Sequence, residues 1–89
     1  MDTEPSVVQE IKIPYPEEAR RQGIEGVVVL SITVDLDGNV VQAKVVTGPG
    51  YGLEDAALKG IKRFKFKPAT KNGEVVSTEL KYRYRFMLD

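Results

Sequence analysis

GVVVLSITVDLDGNVVQAKVVT, running from Gly26 to Thr47, is the stretch whose reading decides the fold. Val28, Leu30, Ile32 and Val34 alternate with Val27, Val29, Ser31 and Thr33, so one face of an extended segment is apolar. The β-branched content suits a pleated strand. Asp37-Gly38-Asn39 then supplies a tight turn. Val40 to Thr47 returns, with Val41, Ala43 and Val45 alternating against Gln42 and Lys44. The stretch predicts a β-hairpin whose apolar face needs a cover.

The cover lies on either side of it. Upstream, Pro14-Tyr15-Pro16-Glu17-Glu18-Ala19-Arg20-Arg21-Gln22-Gly23 predicts a short helix. Pro16 suits the first turn, where its missing N–H costs nothing. Glu17 and Glu18 sit at the positive end of the helix dipole, and Arg20 and Arg21 at the negative end. Gly23 is a natural left-handed cap, with Ile24 for the accompanying apolar contact. Downstream, Gly48 to Gly52 breaks the strand pattern, and Leu53 to about Phe64 predicts a second helix. Leu53, Ala56, Ala57, Ile61 and Phe64 form its apolar stripe. Gly60 inside that helix costs about 1 kcal/mol against alanine, which points to close packing of helix on sheet. Pro68 stops the segment, and Asn72-Gly73 makes another turn.

The last segment predicts a third strand. Leu80, Tyr82, Tyr84, Phe86 and Leu88 point one way; Glu79, Lys81, Arg83 and Arg85 point the other. A hairpin followed by a right-handed helical crossover places the Gly26 strand in the middle. The expected fold is α+β, with two helices packed on one face of a three-stranded antiparallel sheet. The last strand then lies at an edge, with its outer N–H and C=O groups open. Its charges discourage indiscriminate pairing yet tolerate a chosen guest strand, and strand addition at a sheet edge is a recurring recognition mode.

Composition narrows the chemistry. The 89 residues suit one domain and include no cysteine, histidine or tryptophan. Ser-His-Asp and Cys-His catalysis and a Cys/His zinc site are thereby excluded, and no pair of catalytic carboxylates suggests itself. Catalytic residues, metal ligands and cofactors are expected to be absent. No apolar run approaches the roughly 20 residues that span a bilayer, and no signal-peptide core follows Met1. Lack of cysteine fits the cytosol and equally a bridge-free periplasmic domain. Residues 1–10 read as a flexible N-terminal segment or linker remnant, and 11–89 as the domain.

Thirteen basic and thirteen acidic residues balance, yet residues 1–40 carry −5 and residues 41–89 carry +5. Lys59, Lys62, Arg63, Lys65 and Lys67 form the densest basic stretch. A basic face for an acidic partner is one reading; two halves folding against each other is the other. Gly23-Ile24-Glu25-Gly26 has the form of an RNA-binding G-x-x-G loop, but it joins a helix to a strand and contains an acid. Gly48-Pro49-Gly50-Tyr51-Gly52 precedes a helix as phosphate loops do, but Glu54 and Asp55 repel anions. Asp35 and Asp37 flank a turn without the spacing of a calcium loop. Tyr82 and Tyr84 alternate with Arg83 and Arg85, which puts rings and cations on opposite faces rather than on one nucleic-acid platform. No nucleic-acid partner is therefore expected.

Several of these motifs, in this order, resemble the C-terminal domain family of TonB. Tyr15-Pro16-Glu17-Glu18-Ala19-Arg20 resembles the family's Y-P-x-x-A. Gly23-Ile24-Glu25-Gly26-Val27-Val28-Val29 resembles G-x-x-G-x-V-x-V, and Asp37-Gly38-Asn39-Val40 its hairpin. Ala56-Ala57 to Ile61 is similar to its second helix. Phe64-Lys65-Phe66-Lys67-Pro68-Ala69 resembles W-x-F-x-P-A, with phenylalanine in place of tryptophan. The likeness spans roughly Pro14 to Leu88.

The resemblance implies a domain of the Gram-negative periplasm, at the end of an inner-membrane-anchored energy transducer. It implies binding of a short segment of an outer-membrane TonB-dependent transporter, the TonB box, as an added strand. Force would come from a proton-driven inner-membrane motor engaged through an N-terminal region this chain lacks. The stretch matching the guest's neighbour is Thr78, Glu79, Leu80, Lys81, Tyr82, Arg83, Tyr84 and Arg85. The segment Lys12, Ile13, Pro14 and Tyr15 corresponds to a second contact; it departs from the Gln/Pro-rich form of well-known members. The family also includes modules of other envelope machines, for motility or secretion, and members that form homodimers by strand exchange.

Overall fold

The computed structural model describes residues 2–88; Met1 and Asp89, which the sequence reading assigned to the leader and the domain end, lie outside them. Nine elements follow in order: β1 (Ser6–Gln9), α1 (Glu17–Arg21), β2 (Gly26–Val34), β3 (Val40–Thr47), α2 (Leu53–Ile61), β4 (Lys65–Lys67), β5 (Ala69–Lys71), β6 (Glu74–Val76) and β7 (Thr78–Phe86). The main sheet has the order β3-β2-β7, all antiparallel, as the hairpin pattern predicts. Val28, Leu30, Ile32 and Val34 of β2 are buried with Leu53, Ala57 and Ile61 of α2 and Ala19 of α1. Both helices thus close one face of the sheet, and the fold is the expected α+β.

The hairpin turn owes its geometry to two residues. The Asp35 carboxylate accepts N–H bonds from Asp37 (2.9 Å) and Asn39 (2.8 Å), which is turn chemistry rather than a cation site. Gly38 sits at φ +84°, and a Cβ there would lie 1.9 Å from the Phe66 carbonyl oxygen. The Phe66 N–H in turn donates to the Gly38 carbonyl at 2.9 Å, so the turn is stitched to β4.

Several features depart from the sequence reading. β3 carries two bulges, between the partners of Thr33 and Val34 and between those of Val29 and Leu30. An extra residue at a bulge keeps two successive side chains on one face. Val40, Ala43 and Val45 therefore pack on the core, and Val41 turns outward, 60% exposed. The inward set expected from strict alternation contained Val41 instead. Second, α2 ends at Ile61; Phe64 still reaches the core because a turn closed by Arg63 N–H to Gly60 O (3.0 Å) and Phe64 N–H to Ile61 O (3.1 Å) curls the chain inward.

Third, Gly60 is small for a different neighbour than the sheet. A Cβ on it would fall 2.4 Å from Cγ1 of Ile13, which comes from the segment before α1. Fourth, β7 begins at Thr78 and ends at Phe86, so Leu88 lies beyond the strand. Within the segment read as a leader, residues 6–9 form β1, which pairs with β4, and Thr3 exchanges backbone bonds with Thr70.

Candidate partner-binding edge

β7 pairs with β2 along its whole length, from Gly26 opposite Phe86 to Val34 opposite Thr78. Among the described residues, no strand pairs with its other side. The phase of that open side follows from the hairpin. The Asp35 N–H donates to Asn39 O (2.9 Å), toward β3. Backbone groups alternate in direction along an antiparallel strand. Val34, Ile32, Leu30 and Val28 therefore bond toward β7, and their partners Thr78, Leu80, Tyr82 and Tyr84 bond back. Glu79, Lys81, Arg83 and Arg85 are left with N–H and C=O groups pointing outward.

Side chains divide the same residues by face. Thr78, Leu80, Tyr82 and Tyr84 are half-buried on the helix side; Glu79, Lys81, Arg83 and Arg85 are exposed on the open face. The tyrosines belong to a chain of edge-on ring contacts. Phe64 meets Tyr82 at 5.7 Å, Tyr84 meets Phe86 at 4.9 Å, and Phe86 meets Tyr15 at 5.4 Å between centroids. Such pairs add stability beyond the area they bury, so β7 is stiffly backed where its edge is open. Phe64, standing at the tryptophan position of the resemblance, anchors this chain.

The segment Lys12–Tyr15 does come beside β7. The Ile13 N–H reaches the Tyr84 hydroxyl at 3.5 Å, and the Tyr15 hydroxyl donates to the Ile24 carbonyl. Ile13 is buried against Gly60, so its side chain serves the core; Lys12 and Pro14 are exposed. The Arg20 guanidinium stands 5.8 Å from the Tyr15 ring centroid. Between this segment and the end of β7 lies a cleft of about 670 Å³. Arg20, Phe86, Met87 and Leu88 line it along with the expected Lys12–Tyr15, Tyr84 and Arg85. Phe86 and Leu88 were visible in the alternation of the last strand; nothing in the sequence pattern pointed to Arg20. Burial pushes the Tyr82 phenol above its ordinary value, with the Glu10 and Tyr84 charges adding to it. Burial raises Tyr15 too, helped by Glu25 and opposed by Arg20.

The glycine-rich loop before α2 is occupied from within the chain. In the Gly48–Gly52 loop the Gly50 N–H is already bonded to the Glu54 carboxylate at 2.6 Å, which occupies the place an anion would take. Among the described residues, no group of three acidic side chains gathers as a metal site.

Residues 11–88 match the family described as the Gram-negative bacterial TonB protein C-terminal region. The chain belongs to the TonB C-terminal family. It is 33% identical over 84 residues to Protein TonB of Vibrio cholerae and 32% identical over 76 residues to Protein TonB of Xanthomonas campestris, covering 93% and 84% of this chain. Those alignments span 34% of each relative's length. The solution NMR structure of the Pseudomonas aeruginosa TonB CTD superposes with a TM-score of 0.73 at 20% identity, over 98% of this chain and 89% of that one. That likeness carries the fold. The TonB family architecture and the hairpin-based topology derived above agree.

Proposed function

We propose that this chain is the partner-recognising end of a TonB-type energy transducer. It captures a short extended segment of an outer-membrane transporter as a strand added to β7. Through that link it passes on force supplied by a proton-driven motor in the inner membrane. The observation that carries the reading is the nine-residue β7, fully paired on one side and, among the described residues, without a strand on the other. The flank formed by Lys12–Tyr15 supports it, because a guest there would meet a groove rather than open solvent.

A periplasmic location and an anchored, longer parent belong to the same reading, since the chain covers about a third of the TonB relatives it matches. A second copy exchanging strands would occupy the same edge, so dimerisation and guest capture would compete. The test is an amide-shift titration of the labelled protein with peptides carrying transporter box segments. Shifts along Thr78–Phe86 and at Lys12, Ile13 and Tyr15 are expected. Binding with shifts confined to other surfaces overturns the reading.

A further inference from the structure

We infer that the guest strand carries acidic side chains at alternate positions, those that face Lys81, Arg83 and Arg85. The inference rests on strand addition at β7 and adds to it the chemistry of the guest. Directly opposed residues of neighbouring strands share a face, with Cβ atoms about 4.5–5.5 Å apart. A guest on the outer side of β7 therefore places every second side chain next to the exposed row Glu79, Lys81, Arg83, Arg85. The remaining side chains fall beside Leu80, Tyr82 and Tyr84, on the helix side.

That row is electrostatically unfinished. The ion pairs among the described residues are Arg21 with Glu18 and Lys59 with Asp55; none involves Lys81, Arg83 or Arg85. On the inner side their cross-strand neighbours are Ser31, Val29 and Val27, which bring no charge. Lys44, opposite Ser31 on β3, adds a further cation to the same face. Val27, Val29, Thr47, Arg83 and Arg85 line an open, shallow depression of about 500 Å³ on the same face. Glu79 reverses the sign at the start of β7, so the guest position facing it is neutral or basic. On the helix side the neighbours are half-buried rings and Leu80, which suit apolar guest residues. The guest pattern is thus apolar alternating with acidic, its acids confined to the three positions that face Lys81, Arg83 and Arg85.

Three synthetic nine-residue peptides test this: valine alternating with glutamate, with threonine, and with lysine. Their affinities for the intact chain are measured by titration, with amide shifts locating each. The glutamate peptide is expected to bind about tenfold more tightly than the lysine peptide, the sum of modest cross-strand pairs. The gap is expected to shrink near 1 M salt, where the screening length is about 3 Å. Arg83→Glu with Arg85→Glu is expected to invert the order, and the milder Arg85→Gln to narrow it if the double variant folds poorly. Equal affinities with β7 shifts intact overturn the acidic preference and leave strand addition standing. Absence of β7 shifts with every peptide overturns both.

Discussion

Ile13 fills the space that a side chain on Gly60 would need, so the glycine in the last turn of α2 fixes where the chain runs before α1. The candidate edge depends on that path, because the same segment flanks β7 through Ile13 and Tyr84.

Gly60→Ala is expected to destabilise the domain by about 1–2 kcal/mol. Helix propensity gains about 1 kcal/mol, but overpacking against Ile13 costs more. In an Ile13→Ala background the clash disappears and the alanine becomes neutral or stabilising. Urea unfolding of the four proteins forms a double-mutant cycle. Additive effects would contradict the contact.

Gly38→Ala is expected to cost at least about 2 kcal/mol, because positive φ and the Phe66 carbonyl oppose it together. Gly73→Ala is the control. It shares a positive φ of 79° but has nothing within 4 Å of the added Cβ, so only the strain of about 1–2 kcal/mol remains. Similar losses at the two sites would show that the Phe66 contact relaxes freely.

Stability is expected to hold up to about pH 10 and to fall above it, beyond the ordinary phenol value. Tyr15 and Tyr82 are both raised in the folded state, so folding retains protons that the unfolded chain releases. The stabilisation is complete below the unfolded value and disappears as pH rises through the folded one. Urea midpoints between pH 8 and about pH 11.5 are the measurement, and Tyr82→Phe is expected to flatten the decline. An unchanged slope would remove Tyr82 from the account.

Lys81→Pro is expected to leave the fold in place and to weaken box-peptide binding at least tenfold, since its N–H faces outward. Lys81→Ala separates loss of the N–H from loss of the charge. Tyr82→Pro removes a ladder bond to β2 and a backed ring, and is expected to unfold the domain. Circular dichroism and peptide titration distinguish these outcomes. Two equally well-folded proline variants would place the open phase wrongly.

What could be read from residues alone was whatever repeats. Four apolar alternations in β2, four in β7 and a helical stripe from Leu53 to Ile61 identify the layers and the strand order. The phase of β3 could not be read, because Val40 and Val41 are chemically identical and only the bulge decides which turns inward. β1, β4, β5 and β6 hold three or four residues each, too few for a period; β1 and β4 exist through pairing with each other across the chain, and β5 and β6 form a short hairpin about the Asn72-Gly73 turn. The edge was legible as topology. Its flank at Lys12–Tyr15 came through family likeness, although Gly60 within a helix signalled that some backbone or side chain approaches closely there.

The bulges of β3 have a consequence for stoichiometry. They bend and twist the far border of the sheet and turn Val41 and Val46 away from the core, which spoils that border as a template. A sheet receptive on both borders would let copies stack without end. With one blunt border and one open one, the proposed strand capture would saturate at a single incoming strand, and a pulling linkage built on it would stay a one-to-one coupling.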